Sequence, residues 1–290
     1  MYPTILVMLA LDERDASVLH AAEVLAERVG LQRLLLVHVY RQDPFPAWME
    51  AASTPRPELP EALDAAIAAL GSRLPGVELV GVHAVGSPVE QLQAIVARED
   101  VDLLIIGRND TDGAETGWGP SGRELLRSVT CSALVVPLSA RMDLRHALVG
   151  VDFSHGASDA LAVATRIADH TEALYQYDAS AVAVGGQTRE AFSEQLRQRA
   201  LEHWESDVMP RLGDVPRPQL SVVHADRASS LLIDRAGDRV LVVGSRGMSR
   251  LATLFLGSTA ERVAGRAQGP VLIVRRKGEQ LGLLESLAHR

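Results

Sequence analysis

Three glycines, an arginine and two hydroxyl residues near the C-terminus have types and spacing that fit a definite chemistry. Gly244, Gly247 and Gly257 follow an apolar run, Val240 to Val243, and Ser258 and Thr259 come next. Ser245 and Arg246 lie inside the loop. From Ser258 the pattern turns helical, with Ala260, Val263 and Ala264 on one face and Ser258 or Thr259 as the cap. A second apolar run, Val271 to Val274, closes the unit as strand, glycine loop, helix, strand. Glycine lets a backbone approach an anion closely. A helix N-terminus adds unpaired N–H groups and the positive end of a dipole. Together they are what a phosphate needs. Arg246 either pairs with that phosphate or is a solvated surface arginine. The plain alternative for the whole stretch is a glycine-capped surface loop. No G-K-[ST] follows, so it is not a Walker A loop, and it is not G-x-G-x-x-G.

Other reactive side chains form no comparable group. The nine histidines make no H-x3-H or H-E-x-x-H pattern, and Ser258 is not in a G-x-S-x-G setting. His155 stands near Asp152 in sequence, where it either touches a ligand or is solvated. The single cysteine, Cys131, precedes an apolar run and reads as a core thiol. No catalytic residue and no metal cage is assigned.

The elements that position the glycine loop can be read from the chain as a whole. Its 290 residues suggest two domains. Hydrophobic residues make up 47% and aromatics 4%, so both cores are aliphatic. The net charge is −8 without a basic stripe, which argues against nucleic-acid binding. One cysteine excludes an internal disulfide and fits a cytoplasmic setting. No apolar run approaches a membrane span, and the N-terminus reads as a strand rather than a leader.

Strand-like runs at Ile5–Leu11, Leu34–Val39, Val77–Val85, Leu103–Ile106 and Ala133–Val136 alternate with helical patterns. Those patterns lie at Ala16–Val29, Glu61–Leu74, Val89–Ala97 and Ser121–Val129. Arg41 to Pro60 carries five prolines and reads as a loop. Then the pattern restarts. Ala147–Val151 ends in Asp152, Ala157–Ala168 matches the first helix, and Glu190–Met209 reads as one long helix. Leu220–His224, Ser229–Ala236 and Val240–Val243 follow, with Gly244 at the place of Gly107. Two copies of one β-α-β-α-β-α-β-α-β unit are the simplest explanation. We divide the chain into 1–140, 141–276 and a tail, 277–290.

The spacing G-x2-G-x9-G-S, carried by Gly244, Gly247, Gly257 and Ser258, resembles the signature of the ATP-binding branch of the universal stress proteins. The repeat resembles the family's tandem type over nearly the whole chain up to the tail. The resemblance implies an α/β fold of two doubly wound parallel-sheet domains, strand order 3-2-1-4-5, with the ligand at the switch point between strands 1 and 4. It implies ATP held by Gly244, Ser245, Arg246, Gly247, Gly257, Ser258 and Thr259, with Mg2+ carried by the phosphates. It also places Asp152 at the nucleoside end, where the bland alternative is a helix-start aspartate. Tyr177, read at the place of Val39, would stack on a base or cover the sheet edge.

The first copy departs from the pattern. Asp110 stands where the second glycine would be, Asn109 and Asp112 flank it, and Gly119-Pro120 replaces Gly257-Ser258. Asp12 is taken as its strand-1 aspartate. This copy is expected not to bind. The second copy's own second strand, Ala173–Tyr177, looks weak, and Ala225-Asp226-Arg227 replaces Gly86-Ser87-Pro88. The copies are expected to pack about a pseudo-twofold axis as two sheets, each with a covered edge strand, 134–136 and 272–274. The expected function is a stress-response regulator binding ATP in the second copy, alone, as a homodimer or with a protein partner. The alternatives are a scaffold without a nucleotide and a slow ATP hydrolase.

Overall fold

Strands apolar on both faces must be covered on both faces, and that demand shapes this molecule. The computed structural model describes residues 1–40, 58–109, 120–178, 188–247 and 256–277. Most of the 41–60 proline stretch, Asp110, Asp112, Gly119 and the tail beyond Lys277 lie outside the described residues.

The first copy runs β1 (Thr4–Met8), α1 (Asp15–Val29), β2 (Arg33–Tyr40), α2 (Glu58–Gly71), β3 (Glu78–Val85), α3 (Pro88–Arg98), β4 (Leu103–Arg108), α4 (Pro120–Ser128) and β5 (Ser132–Pro137). The second runs β6 (His146–Val151), α5 (His155–Ile167), β7 (His170–Tyr177), α6 (Arg189–His203), a π-helical turn (Trp204–Val208), α7 (Met209–Leu212), β8 (Gln219–His224), α8 (Ala228–Ala236), β9 (Val240–Gly244), α9 (Ser258–Arg266) and β10 (Val271–Val274). Alternate residues of one strand face opposite sides. Ile5 and Val7 join the core under α1 and α5, while Leu6 joins the core under α3, α4, α8 and α9.

The strand order is β3-β2-β1-β4-β5-β10-β9-β6-β7-β8. Each copy therefore has the 3-2-1-4-5 order, and the second reads in reverse. The expectation of two separate sheets is overturned. β5 and β10 pair antiparallel, with Leu134 opposite Leu272, and one ten-stranded sheet runs through both copies. The reason is physical. Both strands are buried along their length, so water could not satisfy their outer N–H and C=O groups, and each supplies the other's partners. The edge that resembles the family's pairing strand is thus used within the chain. The outer strands are β3 and β8.

Two local readings also change. β7 is not weak but an eight-residue strand paired on both sides. Its charged Glu172 is accommodated because Ser221 and Arg239 donate to it at 3.0 and 3.2 Å. The long helix at 190–209 is interrupted. Its buried residues, Ala200, Trp204, Val208 and Leu212, recur every four residues. An α-helix turns every 3.6 residues, so such a row drifts round it. The π-turn, closed by the Met209 amide donating to the Trp204 carbonyl, takes up an extra residue and keeps the row facing the sheet.

Candidate functional site at the switch point of the second copy

The C-terminal ends of β6 and β9 open into a crevice of about 450 Å³. Asp152, Gly244, Arg246, Gly247, Gly257, Ser258 and Thr259 all line it, so residues 107 positions apart in sequence meet at one place. Ser245 does not line it. It is buried beside the crevice, and its amide donates to the Val274 carbonyl at 2.9 Å. The remaining wall is largely apolar, from Leu174, Leu231, Leu232, Val243 and Leu256.

The glycines are needed for the side chain they lack. None of the three has a positive φ. A Cβ on Gly244 would lie 2.7 Å from the backbone of Gly156, and one on Gly156 would lie 2.8 Å from the Arg246 carbonyl. The start of α5 and the loop after β9 are thus in backbone contact. Gly244→Ala should cost about 1–3 kcal/mol of stability, the usual range for overpacking, and denaturant unfolding measures it. A Cβ on Gly247 would stand 2.4 Å from the Asp152 Oδ2 atom. Gly257 is an extended N-cap whose amide donates to the Ser245 carbonyl at 2.8 Å, so that donor is already spent.

Among the described residues the first turn of α9 is open to an anion. Its N-cap carries no side chain, so the helix supplies no partner for the amides of Ser258, Thr259 and Ala260. Ser258, Thr259 and Ala260 all line the crevice, so three N–H groups, the dipole end and two hydroxyls stand at its wall. At the other end Asp152 accepts the Ser154 amide at 3.0 Å, in the turn where Phe153 takes φ 63°. Phe153 stacks on Tyr175 with ring centres 4.4 Å apart, which holds that turn in place. His155 opens α5 exposed to solvent and is not among the lining residues.

Strand register corrects two assignments. Val7 pairs with Ile105 in the first copy as Val149 pairs with Val242 in the second. Three residues on, Asp152 matches Ala10 rather than Asp12. The next residues, Leu11 and Phe153, share a positive φ, 61° and 63°. Asp12 matches Ser154 and is held by Arg14 at the surface. The first copy therefore has no aspartate at this place. Similarly Leu36 pairs with Val7 and Ala173 with Val149, which aligns Val39 with Gln176 and Tyr40 with Tyr177. Gln176 lines the crevice and donates to the Ala225 carbonyl. Tyr177 instead packs edge-on against His224, outside the lining. Gln176 and Gly156 were missed from the sequence. The signal for Gly156 is a glycine in the first turn of a helix that already has a serine cap.

The first copy has its own crevice, about 580 Å³, lined by Ala10, His38, Val39, Gly107, Asn109 and Ser121 among others. Its helix α4 begins with Pro120, which has no N–H to offer. Asp15, the first residue of α1, is turned inward and accepts the amides of Ala10 and Leu11 at 2.8 and 2.7 Å. Cys131 is buried, and burial pushes its thiol up to about 12. A thiol reagent at pH 8 should leave the native protein unmodified and react with one equivalent after unfolding.

A doubly wound repeat with a crevice at each switch point defines the class of protein. The family model described as "Universal stress protein family" matches residues 1–137 and again 144–275. The chain belongs to the universal stress protein family, with two family domains in tandem. The Thermus aquaticus protein named "Universal stress protein in QAH/OAS sulfhydrylase 3'region" is 34% identical over 91 residues, 30% of this chain and 66% of its own length. Among solved structures, a functionally unknown protein of Pseudomonas aeruginosa PAO1 is similar with TM-score 0.69 at 18% identity, covering 100% of this chain and 98% of its own. A putative universal stress protein of Pseudomonas aeruginosa UCBPP-PA14 gives 0.68 at 18%, with the same coverage. At these identities the structural likeness speaks for the fold. No helix among the described residues is long and apolar enough to cross a membrane.

Proposed function

We propose that this protein is a stress-response regulator whose second copy binds ATP. The observation that carries the reading is the uncapped first turn of α9, which faces a crevice with an apolar wall and a carboxylate at the far end. Phosphates sit against the Ser258, Thr259 and Ala260 amides, with Arg246 on the same wall. The purine lies against Leu174, Leu231 and Gln176, and Asp152 faces the nucleoside. A cavity of about 450 Å³ is of the size that encloses a ligand of this class, commonly about 300–1,000 Å³. Among the described residues the three-residue group with metal-ligating geometry, Asp178, His224 and Asp226, is exposed and none of the three lines the crevice. Mg2+ therefore arrives on the phosphates and is held by their oxygens and water.

The experiment is mass spectrometry of nucleotide released from freshly purified protein, followed by calorimetric titration. About one nucleotide per chain supports the reading. Protein that carries none and binds none on titration supports the scaffold alternative. The hydrolase alternative has no observation in its favour at this site.

A further inference from the structure

Arg108 belongs to the first copy by sequence and to the second by contact. It closes β4, is only 5% exposed, and donates to the carbonyls of Ala264 at 3.0 Å and Ala267 at 2.5 Å, at the C-terminal end of α9. The other copy returns the arrangement. Arg275, directly after β10, donates to the carbonyls of Leu126 and Val129 at the end of α4. Pro120 and Ser258 open these two helices at equivalent places, so the four carbonyls are equivalent in pairs. Each copy thus plugs an arginine into the last turn of the other's last helix.

The two plugs have unequal consequences. The far end of α4 starts with a proline. The far end of α9 carries the three amides that face the crevice. With nine residues, α9 is about 13 Å long at about 1.5 Å per residue, and so short a helix moves as a rod. What fixes its last turn also sets where its first turn points. The guanidinium satisfies carbonyls that the helix leaves unpaired and complements the negative end of the dipole. Arg108 also forms part of the wall of the first copy's crevice.

We propose that Arg108 is a positioning residue for phosphate binding, so that the first copy, whose own helix α4 opens with a proline, sets the second copy's affinity for the nucleotide's phosphates. This rests on the nucleotide reading above. The test uses the full chain and compares wild type with Arg108→Met, Arg108→Lys and Arg275→Met. Dissociation constants for ATP and for adenosine are measured, together with hydrogen exchange of α4 and α9 without nucleotide. Arg108→Met should weaken ATP about threefold to thirtyfold, the range a charge at a helix end commands, and leave adenosine within about twofold. Arg108→Lys should recover part of the loss, and it carries the test if the methionine variant does not fold. Arg275→Met should speed exchange in α4, and Arg108→Met in α9. Unchanged ATP affinity in both Arg108 variants overturns the proposal, as does an equal loss of ATP and adenosine. Wild type that binds no ATP at all overturns the nucleotide reading and this proposal with it, and that failure is distinguished by the wild-type titration alone.

Discussion

Gly257→Asp should abolish ATP binding, by at least about a hundredfold, while the melting temperature moves by only a few degrees. Gly257 is the N-cap of α9, with φ −62° and ψ 144°, a conformation open to any residue. Aspartate there does two things at once. Its carboxylate accepts from the amides of the first turn, which takes the donors away from a phosphate. It also places one anion beside another. Two unit charges about 4 Å apart repel by about 4 kcal/mol at an effective dielectric constant of about 20. Stability responds differently. The new Cβ would stand 3.3 Å from the Ser245 carbonyl, a tight contact that must give by a few tenths of an ångström. The cap gained, typically about 1 kcal/mol, offsets that cost. Calorimetry and a thermal melt on one preparation check both halves. Retained binding, or loss of binding through global unfolding, would count against the assignment.

Gly247→Ala should weaken ATP about tenfold or more, and most of the effect should vanish in an Asp152→Ala background. Gly247 has an ordinary φ, so the alanine penalty is not conformational. It comes from the Asp152 carboxylate, which occupies the space where the methyl group would go, 2.4 Å away. The aspartate must swing aside or the loop must lift, and either change disturbs the wall between the phosphate and nucleoside ends. Overpacking of this kind costs about 1–3 kcal/mol, and touching residues couple by about 0.5–3 kcal/mol. Asp152→Ala alone should reduce discrimination at the nucleoside and spare the phosphate-dependent part of binding. A double-mutant cycle on ATP affinity is the measurement. Strict additivity would mean that Gly247 acts on the phosphate without Asp152.

The repeat and its elements were legible because parallel strands buried on both faces are written as unbroken apolar runs. Leu34 to Val37 and Val240 to Val243 are examples. The glycine loop was legible because its spacing is unusual and a helical pattern begins at Ser258. Register was not. Counting from the Ala-Ser pairs, Ala16-Ser17 and Ala157-Ser158, puts Leu11 opposite Asp152, and Asp12 was taken as the nearest aspartate, but the strand pairing puts Ala10 there. Sequence spacing between a strand and a helix does not fix which residue ends the strand, whereas a hydrogen-bonded ladder does. A slip of one residue put Tyr177 in place of Gln176, which moves a side chain to the opposite face of the sheet. The joined sheet was missed because an edge strand's partner is not written in the strand itself. Arg108 was missed because it follows Gly107, where the apolar run ends, and its partners are backbone carbonyls 156 and 159 residues away.

The central claim is that nucleotide phosphates lie on the first turn of α9 in the second copy. Titration of the wild-type protein with ATP, ADP, AMP and adenosine tests it most directly. Each phosphate removed takes away charge-assisted hydrogen bonds, which contribute about 1.5–3 kcal/mol each before losses elsewhere. The expected result is one site per chain, with affinity falling stepwise from ATP to adenosine and a smaller change when GTP replaces ATP. Adenosine binding as tightly as ATP, or two equal sites per chain, would contradict it.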